Sequence, residues 1–214
     1  MEVDAVRAEV QSILQDSAFT DDWIIGKFNK ILLLIATVTR IPALQLTKPL
    51  TAAVGTSSLV LPSTYLHDLY LVTSEVYPKG LPLYHNYKSF LSAQGDYATD
   101  DGQIEMVHLS GKVLSYYRSP EIAEVLTCSY YSKPVTLEAG DDFPDYIPDT
   151  LQETIFQSFA LKEAYLKIED GTDGKAVNTE KYNGIAGSGV QTLIQMHPNA
   201  PKARPEITRV KTFF

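Results

Sequence analysis

The residues able to do chemistry are few and poorly placed for it. Four histidines, His67, His85, His108 and His197, are scattered along the 214 residues, with no i,i+4 pair and no His-x-Glu cluster of metal-ligand type. That scatter favours structural or surface roles. The single cysteine, Cys128, lies in an alternating stretch with no flanking base to lower its pKa, and reads as a buried apolar thiol rather than a nucleophile. Gly184-Ile185-Ala186-Gly187-Ser188-Gly189 has the look of a phosphate-cradling loop, but lacks the Gly-Lys-Ser/Thr ending and a preceding strand. Asp100-Asp101 and Asp141-Asp142 offer carboxylates to calcium without the regular ligand spacing of a calcium loop, and read as solvated turns. A peptidoglycan hydrolase would need an acid–base carboxylate pair about 5–10 Å apart, and nothing in the sequence places one. The 13 tyrosines are suited to a sugar-binding face, although such residues more often fill a strand-rich core or a subunit interface. No catalytic residue, metal ligand or cofactor is assigned.

The totals set the class. A length of 214 residues with 44% apolar content is enough for a real core, in one large domain or two small ones. The net charge of −8 argues against binding nucleic acid by charge. One cysteine excludes an intrachain disulfide and fits a protein matured in a reducing cytoplasm. The acidic start Met1-Glu2-Val3-Asp4 is unlike a secretory signal, and the longest apolar run, Ile31 to Ala36, falls far short of the roughly 20 residues of a membrane span. No membrane partner is expected.

The elements follow from periodicity. Val3, Val6, Val10, Ile13 and Leu14 recur at helical spacing. Thr20 is a good N-cap for a second helix with Asp21 and Asp22 in its first turn, carrying Trp23, Ile24, Phe28, Ile31, Leu32, Ile35 and Val38 and ending before Pro42. Being apolar over more than one face, that helix belongs at the centre of the bundle or in a subunit contact. From about 51 to 135 the period shifts towards two, with strands at Gln103–Leu109, Val113–Arg118 and Val125–Ser132 and a tight hairpin turn at Ser110-Gly111. Residues 78–100 read as an ordered loop with a short helix around Tyr87–Ala93. Four to six antiparallel strands in a small sandwich or curled sheet are expected.

Asp141 to Pro148 is an acidic link into a third long helix, with Leu151, Ile155 and Phe159 facing inward and Glu163 and Lys167 as an i,i+4 pair. A further helix after Thr172 is predicted from Ala176, Val177, Tyr182, Ile185 and Leu193, weakened by Gly184, Gly187 and Gly189 at about 1 kcal/mol each relative to alanine. The fold class is therefore α+β. A body of three to four helices (1–50 and 141–196) carries an inserted β lobe (51–140) and an extended C-terminal arm (197–214). The two helical blocks are each too small to bury their apolar faces alone and complete one another. In the arm, Pro198, Pro201 and Pro205 break regular structure. Lys202, Arg204, Arg209 and Lys211 stand against Glu206, a net +3 that leaves −11 on the other 196 residues. Ending in Phe213-Phe214, it reads as an arm that docks on another molecule.

This layout resembles the head-to-tail adaptor (connector) proteins of tailed bacteriophages over most of residues 3–195. The resemblance rests on Asp22, Trp23, Asn29 and Ile35-Ala36 in the second helix. It rests also on Gly55 through Leu66 at the opening of the β region, on Thr127 to Pro134 at its close, and on Ala160 and Ala164-Tyr165 in the helix after Pro148. No single motif is specific; their order and spacing are. The resemblance implies a structural virion protein, not an enzyme, at the head–tail junction, forming a homo-oligomeric ring of twelve copies under the portal. That ring would join capsid to tail and extend a channel through which genomic DNA passes without specific binding. Its implied partners are the portal protein and the next tail component (nozzle, stopper or tail tube). On this reading Trp23, Phe28, Ile31 and Leu32 serve the contact between ring subunits, and Arg204, Arg209, Lys211, Phe213 and Phe214 dock the arm on the portal. The alternative is a tyrosine-rich carbohydrate- or peptide-binding module of a virion or cell-surface assembly.

Overall fold

The helical periodicity at the start of the chain becomes two helices in the computed structural model, which describes residues 1–94, 101–169 and 176–197. These are α1 (Val3–Leu14) and α2 (Asp21–Val38). There follow strands β1 (Gln45–Ala52), β2 (Ser58–Val60), β3 (Tyr65–Thr73) and β4 (Leu83–Tyr84), and then helix α3 (Tyr87–Gln94). Strands β5 (Met106–Ser110), β6 (Val113–Tyr117) and β7 (Glu124–Ser132) precede the long helices α4 (Asp149–Glu169) and α5 (Val177–Met196). The fold is α+β, and the chain divides into two units. One is built from Met1–Ala43 and the described residues from Pro134 onward, the other from Leu44–Lys133.

In the helical unit the two separated blocks share one interior. α1 turns Val3, Val6 and Val10 inward. The Thr20 side chain accepts a hydrogen bond from the Trp23 N–H and caps α2, while Asp21 and Asp22 complement the helix dipole. Thr39 leaves the helix in an extended conformation ahead of Pro42. α4 starts where the Pro148 carbonyl accepts from Gln152 N at 3.0 Å. Phe28, Phe143 and Phe156 form the aromatic centre, with ring centroids 4.2–5.8 Å apart. The Asn29 side chain donates to the Leu137 carbonyl (3.0 Å) and accepts from its N–H (2.7 Å), so one amide fastens the returning chain to α2. Val3 N to Asp141 O (2.9 Å) and Phe143 N to Met1 O (3.0 Å) tie the first residues to the same segment.

The glycines do not prevent α5. It runs for 20 residues and turns Ala186, Gly189 and Leu193 inward. At Gly189 an added Cβ would lie 2.7 Å from Ile155 Cγ1, so glycine is what lets α5 approach α4 there. Tyr165 and Tyr182 stack across the pair at 5.6 Å. The Glu169 carboxylate accepts from Asn178 N and Thr179 N, both 3.1 Å, and so caps the exposed donors at the start of α5.

The β unit holds seven strands, more than the four to six expected, in two sheets. One is antiparallel, in the order β1-β7-β3; the other runs β2-β6-β5-β4, and its β4–β5 pair is parallel rather than antiparallel. β1 begins at Gln45, ahead of the change of period at about residue 51, because Lys48 and Pro49 break its alternation; Pro49 is tolerated on an edge strand. β5 and β6 are joined by the two-residue turn Gly111-Lys112, with Gly111 at φ +59°. Leu69, Val72, Ile104, Val107, Leu114, Leu126, Cys128 and Tyr130 fill the core between these strands.

Candidate assembly surfaces

Four residues of α2 were expected at a subunit contact, and the structure separates them. Phe28, Ile31 and Leu32 are buried within the helical unit, where Phe28 meets Phe143 and Phe156 edge to face. Their side chains belong to this unit's own core, a correction to the sequence reading. The outward apolar residues of the same helix are Leu33 (43% exposed), Leu34 (46%) and Val38 (59%). Six consecutive apolar residues, Ile31 to Ala36, cover every side of the helix, so periodicity alone could not tell the core stripe from the surplus.

Trp23 is half-buried and sits in a cationic frame. Phe19 packs against it edge to face at 4.8 Å, and the ammonium groups of Lys27 and Lys167 lie 4.9 and 5.1 Å from its ring centre. Beside it, the buried Glu163 receives Lys30 (2.8 Å), Lys162 (2.9 Å) and Lys27 (3.2 Å). The expected Glu163–Lys167 pair is replaced by this arrangement. Lys167 goes to the tryptophan, and the carboxylate turns into the α2–α4 seam where two lysines of α2 reach it. Burial pushes the Glu163 carboxyl upward, but the hydrogen bonds from Lys30, Lys162 and Lys27 outweigh it and hold the group down at about 2. Three lysines therefore surround one carboxylate, with Lys167 beside them on Trp23, a signal no sequence spacing discloses because it joins residues 136 positions apart.

Five of the nine described tyrosines of the β unit are core, and Tyr87 is exposed. Tyr65, Tyr116, Tyr117, Tyr130 and Tyr131 are buried. Their hydroxyls find partners inside: Tyr130 with Thr64 Oγ1 at 2.9 Å, Tyr131 accepting from Gln45 Nε2 at 3.0 Å, and Tyr116 with Thr56 Oγ1 at 2.5 Å. They offer interior packing rather than a groove for a sugar.

The remaining candidates for chemistry fall into structural places. Cys128 is fully buried in β7, and burial pushes its thiol up to about 12, which removes the thiolate at neutral pH. His108 is packed between Phe90 and Tyr87, and its burial, with His85 adding to it, keeps the imidazole below its ordinary value. His67 stacks on Tyr131 at 5.3 Å and lies 3.3 Å from Asp68. Among the described residues no three His, Cys, Asp or Glu side chains converge as metal ligands. The glycine-rich stretch 184–189 lies inside α5, not in a loop. No helix among the described residues is long and apolar enough to cross a membrane. The arm residues Arg204, Arg209, Lys211, Phe213 and Phe214 lie outside the described residues.

The helical unit, interrupted in sequence by the β unit, presents an outward apolar face on α2 and a lysine cluster around Trp23 and Glu163. Over residues 1–204 the chain matches the family described as SU10 adaptor protein, and it belongs to that family of phage head–tail adaptors. No curated protein matches it. Membership makes it a structural phage protein of tail assembly, a virion component at the head–tail junction that interacts with portal and tail components.

Proposed function

We propose that copies of this chain form a closed ring beneath the portal, joining capsid to tail and extending the DNA channel. Family membership over residues 1–204 is the observation that carries the reading. Helical units pack side by side, and the outward α2 residues Leu33, Leu34 and Val38 supply apolar area for that contact. Twelve copies would match the ring expected from the resemblance. The β unit is the platform for the next tail component. The arm 197–214 reaches the portal, with Arg204, Arg209 and Lys211 on portal carboxylates and Phe213 and Phe214 in an apolar pocket. A charge of −11 on the other 196 residues fits a conduit that repels phosphate and lets the genome pass without binding it. The chain would be synthesised in the host cytoplasm before it joins the particle.

The test of the arm is deletion of residues 197–214. The truncated protein should lose its affinity for isolated portal rings; unchanged capture would refute the assignment. The carbohydrate- or peptide-module reading draws little support from the β unit, where Tyr65, Tyr116, Tyr117, Tyr130 and Tyr131 are buried in its own core.

A further inference from the structure

The helical unit carries two surfaces of opposite charge at opposite ends of α4. Between Pro134 and Leu161 there is no lysine or arginine, while Glu138, Asp141, Asp142, Asp145, Asp149 and Glu153 are all exposed. The Met1 amine lies 3.8 Å from both Asp142 and Asp149. At the other end, Lys27, Lys30, Lys162 and Lys167 gather around Trp23 and the one carboxylate of Glu163. Acids at the N-terminus and bases near the C-terminus of α4 suit the helix dipole. The dipole does not account for three lysines on one carboxylate, nor for the acids ahead of the helix. At 1.5 Å per residue, Lys162 and Lys167 stand about 20 and 27 Å along α4 from Asp149, so the helix holds them apart within one copy.

We infer that the lysine cluster of one copy docks on the acidic segment 138–153 of a second copy, a heterologous head-to-tail contact. The inference rests on the ring reading above, and gives that ring its polarity. Three features favour a second copy as the occupant. The cluster is net cationic on a chain of −8, so it has surplus charge to offer. Its complement is present on the same unit at the far end of the same helix. And the two surfaces differ, as they must in a ring, where each subunit shows one face to the neighbour before it and another to the neighbour after it. Glu163 fixes the ammonium groups in advance, which lowers the cost of ordering them on contact. Trp23, half-buried between Lys27 and Lys167, supplies an aromatic anchor at the centre of the patch.

The experiment mixes full-length chains of natural and heavy isotopic content, with and without isolated portal rings, and joins touching lysine–carboxylate pairs with a zero-length carbodiimide. Mixed-isotope amides are expected between Lys27, Lys30, Lys162 or Lys167 and the acids of 138–153. Lys167→Glu should weaken association by roughly tenfold in sedimentation, a shift of the size charge steering allows. That variant leaves the three lysines on Glu163 in place. An equal mixture of Lys167→Glu with Asp145→Lys/Glu153→Lys should recover association, because every alternating contact is then either natural or compensated. Oligomers whose mixed amides avoid these segments, or a Lys167→Glu chain that assembles unchanged, would overturn the pairing and leave the ring reading standing. Monomers under every condition, portal included, would overturn both. Retention of duplex DNA that Lys167→Glu abolishes, with assembly unaffected, would reassign the cluster to phosphate and overturn the inference.

Discussion

Glu163→Gln removes one negative charge and almost no volume from the α2–α4 seam, and its cost can be worked from the structure. The carboxyl lies at about 2 against an ordinary 4.5, because Lys30, Lys162 and Lys27 together overcome its burial. A displacement of about 2.5 pH units at about 1.4 kcal/mol each is about 3 kcal/mol of stability at neutral pH. A folded-state pKa below the unfolded one gives a contribution that is complete above about 4.5 and declines as pH falls towards 2. Roughly half should remain at about pH 3. The chain's only tryptophan, Trp23, lies beside this cluster, so its fluorescence reports unfolding of the helical unit. Urea titrations of both proteins should differ by about 3 kcal/mol at pH 7, and by about half that at pH 3. A difference below about 1 kcal/mol at pH 7, as for an exposed ion pair, would refute the reasoning. So would a difference that does not change between the two pH values.

Three further outcomes follow from the same packing. Gly189→Ala should destabilise α5 by about 1–3 kcal/mol, since its Cβ would meet Ile155 Cγ1 at 2.7 Å, whereas Gly184→Ala, with open space around it, should stabilise by up to about 1 kcal/mol; circular-dichroism melts measure both. Asn29→Ala breaks both hydrogen bonds to Leu137 and should cost about 1–3 kcal/mol in the same Trp23-detected titration, with the loss confined to the helical unit. Cys128 should resist a disulfide-exchange reagent in the native protein from pH 7 to 9 and react only as the β unit unfolds; prompt native labelling would contradict its burial and its raised pKa.

Much of this fold was legible because its signals are local. The cap at Thr20, the dipole-compatible acids after it and the stop before Pro42 delimit α2, and the Ser110-Gly111 turn marks the β5–β6 hairpin. β1 was not legible: Lys48 and Pro49 hide an edge strand that only its pairing with β7 makes regular. α5 appeared doubtful because its glycines weaken an isolated helix; the close approach of Gly189 to Ile155 is a tertiary reward that propensity does not contain. The surfaces were read least well. Periodicity could not decide which apolar residues of α2 face inward, and i,i+4 spacing paired Glu163 with Lys167 when α2 offered two closer cations. Both misreadings concern partners far apart in sequence.

The central claim is tested most directly by a cryo-EM reconstruction of phage particles containing this chain. Density for several copies in a ring between portal and tail, with the acidic segment of each copy against the lysine cluster of the next, is the predicted result. Particles that carry the chain elsewhere, or complete head–tail junctions that lack it, would contradict the account.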